Sequence, residues 1–455
     1  MLVLVSDIHL TDESTAMNVD PSAFRVLLRE ILTSAAQRDA REMRVVLLGD
    51  VYDLVRTSYW HSRNVPPDDR PWGGSLDPQT AMNRKTALVE QQFGEVLDKI
   101  LATPAGRALA DLLGKLPRID DKAPKVTYVV GNHDRPLNNF ASLRNRLTSR
   151  LPGVQLEFAT RFLAPEYGVL ARHGHEWDDN CHGRRFLTEV LQKGRQVGRF
   201  DADAYKVMAI GEAVTAELMA GFIHYVERRL DLDDPADAAF LKSLKDVNNI
   251  RPMTEALAWV HWFTRQRCDK HVGIARDALV QALGGLLDCS LAKRWGELKP
   301  EPVVSGDIAD YLDKAWRALK EGRDLLDLGD LVSHVSRAAA MYHRVVGTGL
   351  DDFARGAKEE LDGGLSPHIQ YVVYGHTHDA LHDCFAAEQS GRVRMYVNTG
   401  TYLPLVERAL DGKSFERSYR MMLLFFYRED EDVLDRADNG PTVDFWDGMR
   451  RKAFA

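Results

Sequence analysis

Residues 126–134 read Val126-Thr127-Tyr128-Val129-Val130-Gly131-Asn132-His133-Asp134. An apolar, β-favouring run stops at a glycine and then delivers an amide, an imidazole and a carboxylate in consecutive positions. A strand end can aim such side chains at one point, because the backbone behind it is locked in a sheet. The amide oxygen is a metal-ligand type, the imidazole gives or takes a proton, and the carboxylate can orient the imidazole. Taken alone, Gly-Asn-His-Asp is equally an ordinary turn whose Gly and Asn are there for backbone freedom. The rest of the chain decides between the two readings.

The same pattern recurs on both sides. Leu2 to Val5 reads as a buried strand and runs into Ser6-Asp7-Ile8-His9. Asp7 and His9 are two residues apart, so in extended backbone they point the same way. Asp20-Pro21 opens a helix whose core stripe is Phe24, Leu27, Leu28, Ile31, Leu32 and Ala35. A second strand, Arg44 to Leu48, ends at Gly49-Asp50-Val51-Tyr52-Asp53. The strand–helix–strand order implies a parallel pair. Asp7 and Asp50 then share the carboxyl edge, where open α/β sheets carry their sites. Helical patterns cover about residues 81 to 116. Gly168 to Arg172 is another strand, ending in His173-Gly174-His175-Glu176, and Asp178, Asn180 and His182 follow closely. Ile369 to Tyr374 ends in Gly375-His376-Thr377-His378. Further strands are expected at Leu156 to Phe158, Val393 to Val397 and Met421 to Phe426. The charged residues from Arg428 onward read as a peripheral tail.

The chain has 455 residues, 45% hydrophobic and 28% charged, an ordinary globular composition. Its strand motifs divide it into an α/β core over 1–183, a helical insertion or cap over 184–349, and the rest of the core over 350–455. Net charge is -8, which gives no global basic field of the kind that non-specific nucleic-acid binders use. Within the insertion, Lys193, Arg195 and Arg199 form one basic cluster. Arg265, Arg267, Lys270 and His271 form another beside Trp259 and Trp262, and solvated helix faces explain both better than nucleic acid does. The loop from Arg56 to Thr80 carries Tyr59, Trp60 and Trp72, residues suited to a substrate wall or to plain packing. Cys181, Cys268, Cys289 and Cys384 are scattered, so free thiols are expected instead of a disulfide framework or a structural zinc site. The start lacks the basic segment and longer apolar core of a signal peptide, and no uncharged apolar run reaches bilayer length. The expectation is a soluble, cytoplasmic protein without a membrane span.

Five strands thus end in Asp-x-His, Gly-Asp-x-x-Asp, Gly-Asn-His-Asp, His-Gly-His and Gly-His-x-His. Chance supplies any one of these, but five with only oxygen and nitrogen donors are hard to explain as packing. So many buried carboxylates and imidazoles are costly unless paired or metal-bound. The ordered set resembles the calcineurin-like metallophosphoesterase family, with motifs spanning Asp7 to His378. The resemblance implies a two-sheet α/β sandwich flanked by helices, with a dinuclear metal site at the strand ends. Carried over by motif, Asp7, His9 and His378 hold one divalent ion, Asn132, His173 and His376 the other, and Asp50 bridges both. His175 is the rival to His173, which comes directly off its strand. The donor types suit Mn²⁺, the first choice here, and equally Fe, Zn or Ni. The resemblance also implies catalytic roles for His133, which protonates the leaving oxygen or stabilises charge, and for Asp134, which holds that imidazole. Asp53 either orients a ligand or caps the next turn, and Asn398 reads as a turn residue.

The expected activity is hydrolysis of a phosphoester by a metal-bridging hydroxide, a diester in preference to a monoester, on a small molecule or nucleotide. The protein-phosphatase branch is disfavoured, because Leu54 and Asp134 stand where that branch carries arginine and glutamate. Two alternatives remain open: a nuclease, and a metal-binding scaffold with little turnover.

Overall fold

A computed structural model of the chain describes residues 1–151, 153–251, 253–265, 269–298, 317, 352–364, 367–387, 393–431 and 440–453. Two sheets form its centre. The larger joins β1 (Leu2–Val5), β2 (Arg44–Leu48), β3 (Lys125–Val129) and β4 (Gln155–Ala159) in parallel, in that order. The smaller contains β5 (Phe162–Ala164), β6 (Val169–Ala171), β7 (Tyr371–Tyr374), β8 (Ala380–Ala387) and β9 (Val393–Thr399), ordered β5-β6-β7-β9-β8. Within it β6, β7 and β9 are parallel. The larger sheet is completed by β10 (Pro404–Arg408), β11 (Phe415–Tyr427) and β12 (Thr442–Ala453), with β11 antiparallel to β1.

Side-chain alternation explains the stacking. Leu2, Leu4, Val46, Leu48 and Val129 point one way and share an apolar layer with Val169, Ala171, Tyr371, Val373 and Val397 of the smaller sheet. Val3, Val5, Val45, Leu47, Val126 and Tyr128 point the other way, against helices Ser22–Gln37 and Thr86–Leu101. The outer face of the smaller sheet, Leu170, Val372 and Tyr396, is covered by Ala354 and Ala357 of helix Asp352–Asp362. Strands buried on both faces read as near-continuous apolar runs, which is why they were visible in the sequence. The architecture is mixed α/β, two sheets with helices outside.

Several expectations change in detail. Leu32, expected in the core stripe of the first helix, is 44% exposed, because the buried face narrows to Phe24, Leu27 and Ile31. Trp60 and Trp72 are fully buried, so they pack and line no substrate wall. The expected tail contains β12, which pairs with β11 over twelve residues. Its Val443 and Phe445 pack toward the inter-sheet layer. An edge strand tolerates the charges that made this segment look peripheral.

Among the described residues of 184–298 the regular elements are helices, joined by turns and loops, apart from an isolated bridge between Ile250 and Val406 of β10. It is not a separate lobe: Phe186, Ile210, Phe222 and Leu279 belong to the same apolar cluster as Val89 and Phe93. Residues 299–316 and 318–349 lie outside the described residues, as do Cys268 and Arg267. One stretch, Ala204–Glu227, is long and apolar enough by composition to cross a membrane, which the sequence reading overlooked. It is mostly buried inside the fold. Its two buried acids are paired across to the core, Glu212 with Arg135 at 2.6 Å and Glu217 with Arg70 at 2.6 Å.

Candidate metal centre

The five motifs leave the carboxyl ends of β1, β2, β3, β6 and β7, three from one sheet and two from the other. The loops are tied together by backbone. Asp7 N donates to Gly49 O, His9 N to Asp50 O and Gly375 N to His173 O, at 3.1, 2.9 and 2.9 Å. Asp7, His9, Asp50, His376 and His378 all adopt left-handed backbone, with φ between 47° and 71°. Each such non-glycine residue costs on the order of 1–3 kcal/mol, and strain of this kind gathers at functional sites. Two glycines leave room for the ligands of neighbouring strands. A Cβ on Gly131 would stand 2.7 Å from Asp50 N and overlap its carboxylate, and one on Gly375 would overlap the Asp7 carboxylate and stand 2.9 Å from Ser6 Cβ.

The side chains converge in two groups. In the first, His9 Nε2 lies 2.9 Å from His378 Nε2, and Asp7 Oδ1 lies 3.7 and 3.5 Å from these two nitrogens. In the second, Asn132 Oδ1 lies 3.2 Å from His173 Nε2 and 3.1 Å from His376 Nδ1. Asp50 Oδ2 stands between the groups, 3.7 Å from His9 Nε2 and 3.2 Å from His173 Nε2. Donors about 2.1 Å from one ion are separated by roughly 3.0–3.4 Å in octahedral or tetrahedral arrangements, so the spacings fit a cation in each group. These are buried His/Asp groupings that can hold a metal ion. His133 also lies within reach of His9 and Asp50.

The far nitrogens of these imidazoles are held as well. Asp53 Oδ2 lies 3.0 Å from His9 Nδ1 and 2.9 Å from His133 Nδ1, while its Oδ1 accepts from Arg56 N at 3.0 Å. Asp53 therefore both orients the site and caps the following turn. Leu48 O lies 2.9 Å from His173 Nδ1, and Asp178 Oδ2 lies 3.2 Å from His376 Nε2. Such contacts fix ring orientation and tautomer.

Electrostatics follow from this crowding. Burial pushes the Asp50 carboxyl up, but His173, His133 and His9 outweigh it and hold it well below the usual carboxylate range. Burial opposes the His173 imidazolium, yet Asp50 and Asp7 raise it to about 10. His378 moves the other way, depressed by burial, then by Arg251, His9 and Arg56. Burial, then the charge of Asp50, raises Asp134 to about 7.

Asp134 does not hold the His133 imidazole. Its oxygens accept from Gly131 N at 2.6 Å, Val51 N at 2.9 Å and Tyr128 Oη at 2.5 Å, tying β3 to the loop after β2. Consecutive residues on a turn diverge, and the carboxylate that meets His133 arrives from 80 positions away in the chain as Asp53. His173, not His175, joins the donor group. Gly174, at φ 106°, turns the chain so that the His175 ring centre sits 5.4 Å from that of His173. Asn398 is a loop brace, donating to Gly375 O at 2.7 Å. Sequence reasoning assigned no role to Asp178, although it noted the residue close behind the histidine motif, and it passed over Arg56 and Arg251. Within the basic clusters of the insertion, Arg195 pairs with Asp203, Arg199 covers the Trp177 ring, and Lys270 and His271 pair with Asp237. Cys181, Cys289 and Cys384 are free thiols.

No family model matches this chain, and comparison with curated proteins returned no match.

Proposed function

We propose that the chain is a metal-dependent phosphoesterase of the metallophosphoesterase type, with two divalent ions, Mn²⁺ first and Fe, Zn or Ni as alternatives. The observation that carries this reading is the Asp50 carboxylate standing between two donor groups, within 3.7 Å of one and 3.2 Å of the other. Asp7, His9 and His378 would hold one ion, Asn132, His173 and His376 the other, with Asp50 shared. Two ions so held would supply Lewis acidity, making a water more acidic and offsetting the charge that grows on the phosphoryl oxygens.

The protein's own groups do the rest. Asp53 keeps His9 turned toward the donor group and faces His133 Nδ1, leaving His133 Nε2 to carry the proton needed by the leaving oxygen. The His133 side chain is 13% exposed, on the open side of the cluster with His376 at 11%. A small phosphodiester is the favoured substrate, since a net charge of -8 gives no global basic field for nucleic acid.

The test is cleavage of p-nitrophenyl phosphate, its bis ester and single-stranded DNA across a metal panel, with His133→Ala alongside. The bis ester is expected to be the best substrate. His133→Ala should keep its metal and lose about 10²–10⁴-fold in turnover. Wild-type turnover in that variant overturns the His133 assignment. Protein that holds Mn²⁺ but cleaves none of the three is a scaffold. Preference for DNA makes it a nuclease.

A further inference from the structure

Arg251 belongs to the helical insertion, 127 positions before its partner His378 in the chain. Its Nη2 lies 2.7 Å from His378 Nδ1 and 3.3 Å from Nε2, so the guanidinium rests against the imidazole face beside the Asp7–His9–His378 group. The backbone around it is pinned to the core. Arg251 N donates to Val406 O at 2.9 Å, Asn248 Nδ2 to Thr15 O at 3.0 Å, and Arg417 pairs with Asp246 at 3.1 Å. The remaining hydrogen bonds of the guanidinium go to Ile250 O, Asn248 O and Met253 Sδ. Among the described residues no carboxylate forms an ion pair with it.

A second guanidinium stands behind the same donor group, paired with the carboxylate that orients His9. Arg56 follows Asp53 in the loop after β2, is 4% exposed, and lies with Nε 3.3 Å from Asp53 Oδ2. Its Nη1 is buried with no hydrogen-bond partner among the described residues. A buried guanidinium nitrogen without an acceptor, beside a cation-binding cluster, is costly unless an anion completes it. Planar guanidinium forks match phosphoryl oxygens.

We propose that Arg251 and Arg56 form an anion clamp for the non-bridging oxygens of the substrate's phosphoryl group. The insertion is then part of the reaction centre and not only a cover. The proposal rests on the phosphoesterase reading, and its test separates the two. Inorganic phosphate is titrated calorimetrically into Mn²⁺-loaded wild type, Arg251→Ala and Arg251→Lys, with metal content measured on each sample and bis-ester cleavage run in parallel. Arg251→Ala is expected to keep its metal and lose at least tenfold in phosphate affinity. Arg251→Lys should recover part of that loss, and KM for the bis ester should rise in the same order. If Arg251→Ala does not fold, Arg251→Gln carries the same measurement. Phosphate affinity within twofold of wild type, in a variant with unchanged metal, overturns the clamp while leaving the phosphoesterase reading intact. Loss of metal from both the neutral and the lysine variants makes Arg251 a structural support and overturns it too. A wild type that holds Mn²⁺ but neither binds phosphate nor cleaves any ester removes the phosphoesterase reading itself, and the clamp with it.

Discussion

Replacing Gly131 by alanine tests the geometry of the centre without removing any of its functional groups. The new Cβ would lie 2.7 Å from Asp50 N, where ordinary contact begins at 3.4 Å, so the backbone must yield by 0.7 Å and the carboxylate by more. Forcing an extra carbon into a packed site costs about 1–3 kcal/mol. Asp50 Oδ1 also accepts from His133 N at 2.8 Å, and a charged hydrogen bond lost there costs about 1.5–3 kcal/mol. The total, roughly 2.5–6 kcal/mol, lowers the thermal midpoint by several degrees. Because Asp50 reaches both donor groups, metal retention should fall at both positions together, by about 10–100-fold. The assay is scanning calorimetry with elemental analysis after dialysis against graded Mn²⁺. Gly273→Ala is the control: this glycine lies in helix Asp269–Asp288 with open space around its Cβ position, so alanine should be neutral or stabilise by about 0.5–1 kcal/mol. If Gly131→Ala melts with the wild type and holds the same metal at the same free concentration, the crowding argument is refuted. Loss at one position only would refute the sharing of Asp50.

Two further outcomes are expected. In Asp53→Asn the single amide oxygen can serve either the two imidazoles at Oδ2 or the backbone N–H groups of Val55 and Arg56 at Oδ1, and the negative charge facing His9 and His133 is lost. Metal affinity should drop about 10–100-fold and turnover further, and an unchanged Mn²⁺ titration would contradict the orienting role. Away from the centre, His224 stacks on His61 at 5.4 Å, and burial, then the charges of His61, Arg228 and Arg70, lower it to about 4. An imidazole whose folded pKa lies below its unfolded value of about 6.5 takes up its proton on unfolding, so stability present above 6.5 is lost as pH falls toward 4. His224→Gln should flatten the fall of thermal midpoint between those values, and an acid limb as steep as in the wild type would count against it.

What could be read in the sequence was whatever depends on local pattern. The four inner strands that carry Asp7, Asp50, Asn132 and His376 appear as apolar runs because both their faces are buried, and each stops at the polar residues it presents. Helix Asp352–Asp362 ends at Gly363-Gly364 for a local reason as well. Short or charged strands at the sheet margins, β5, β8, β10 and β12, carry no such signal, because an edge has one neighbour and tolerates polar residues.

Tertiary structure alone decided which groups meet. Adjacency suggested Asp134 as the partner of His133, yet a turn sends neighbouring side chains apart and Asp53 arrives from another strand. The left-handed backbone at five candidate ligands, the space kept by Gly131 and Gly375, and the approach of Arg251 from the insertion all depend on packing between distant segments. The sequence by itself determined the kinds of donor and the strand ends that present them, since both follow from side-chain chemistry and a period of two. Their distances, their partners and the approach of the Arg251 guanidinium follow from how two sheets and a helical insertion close on one edge, which no local pattern encodes.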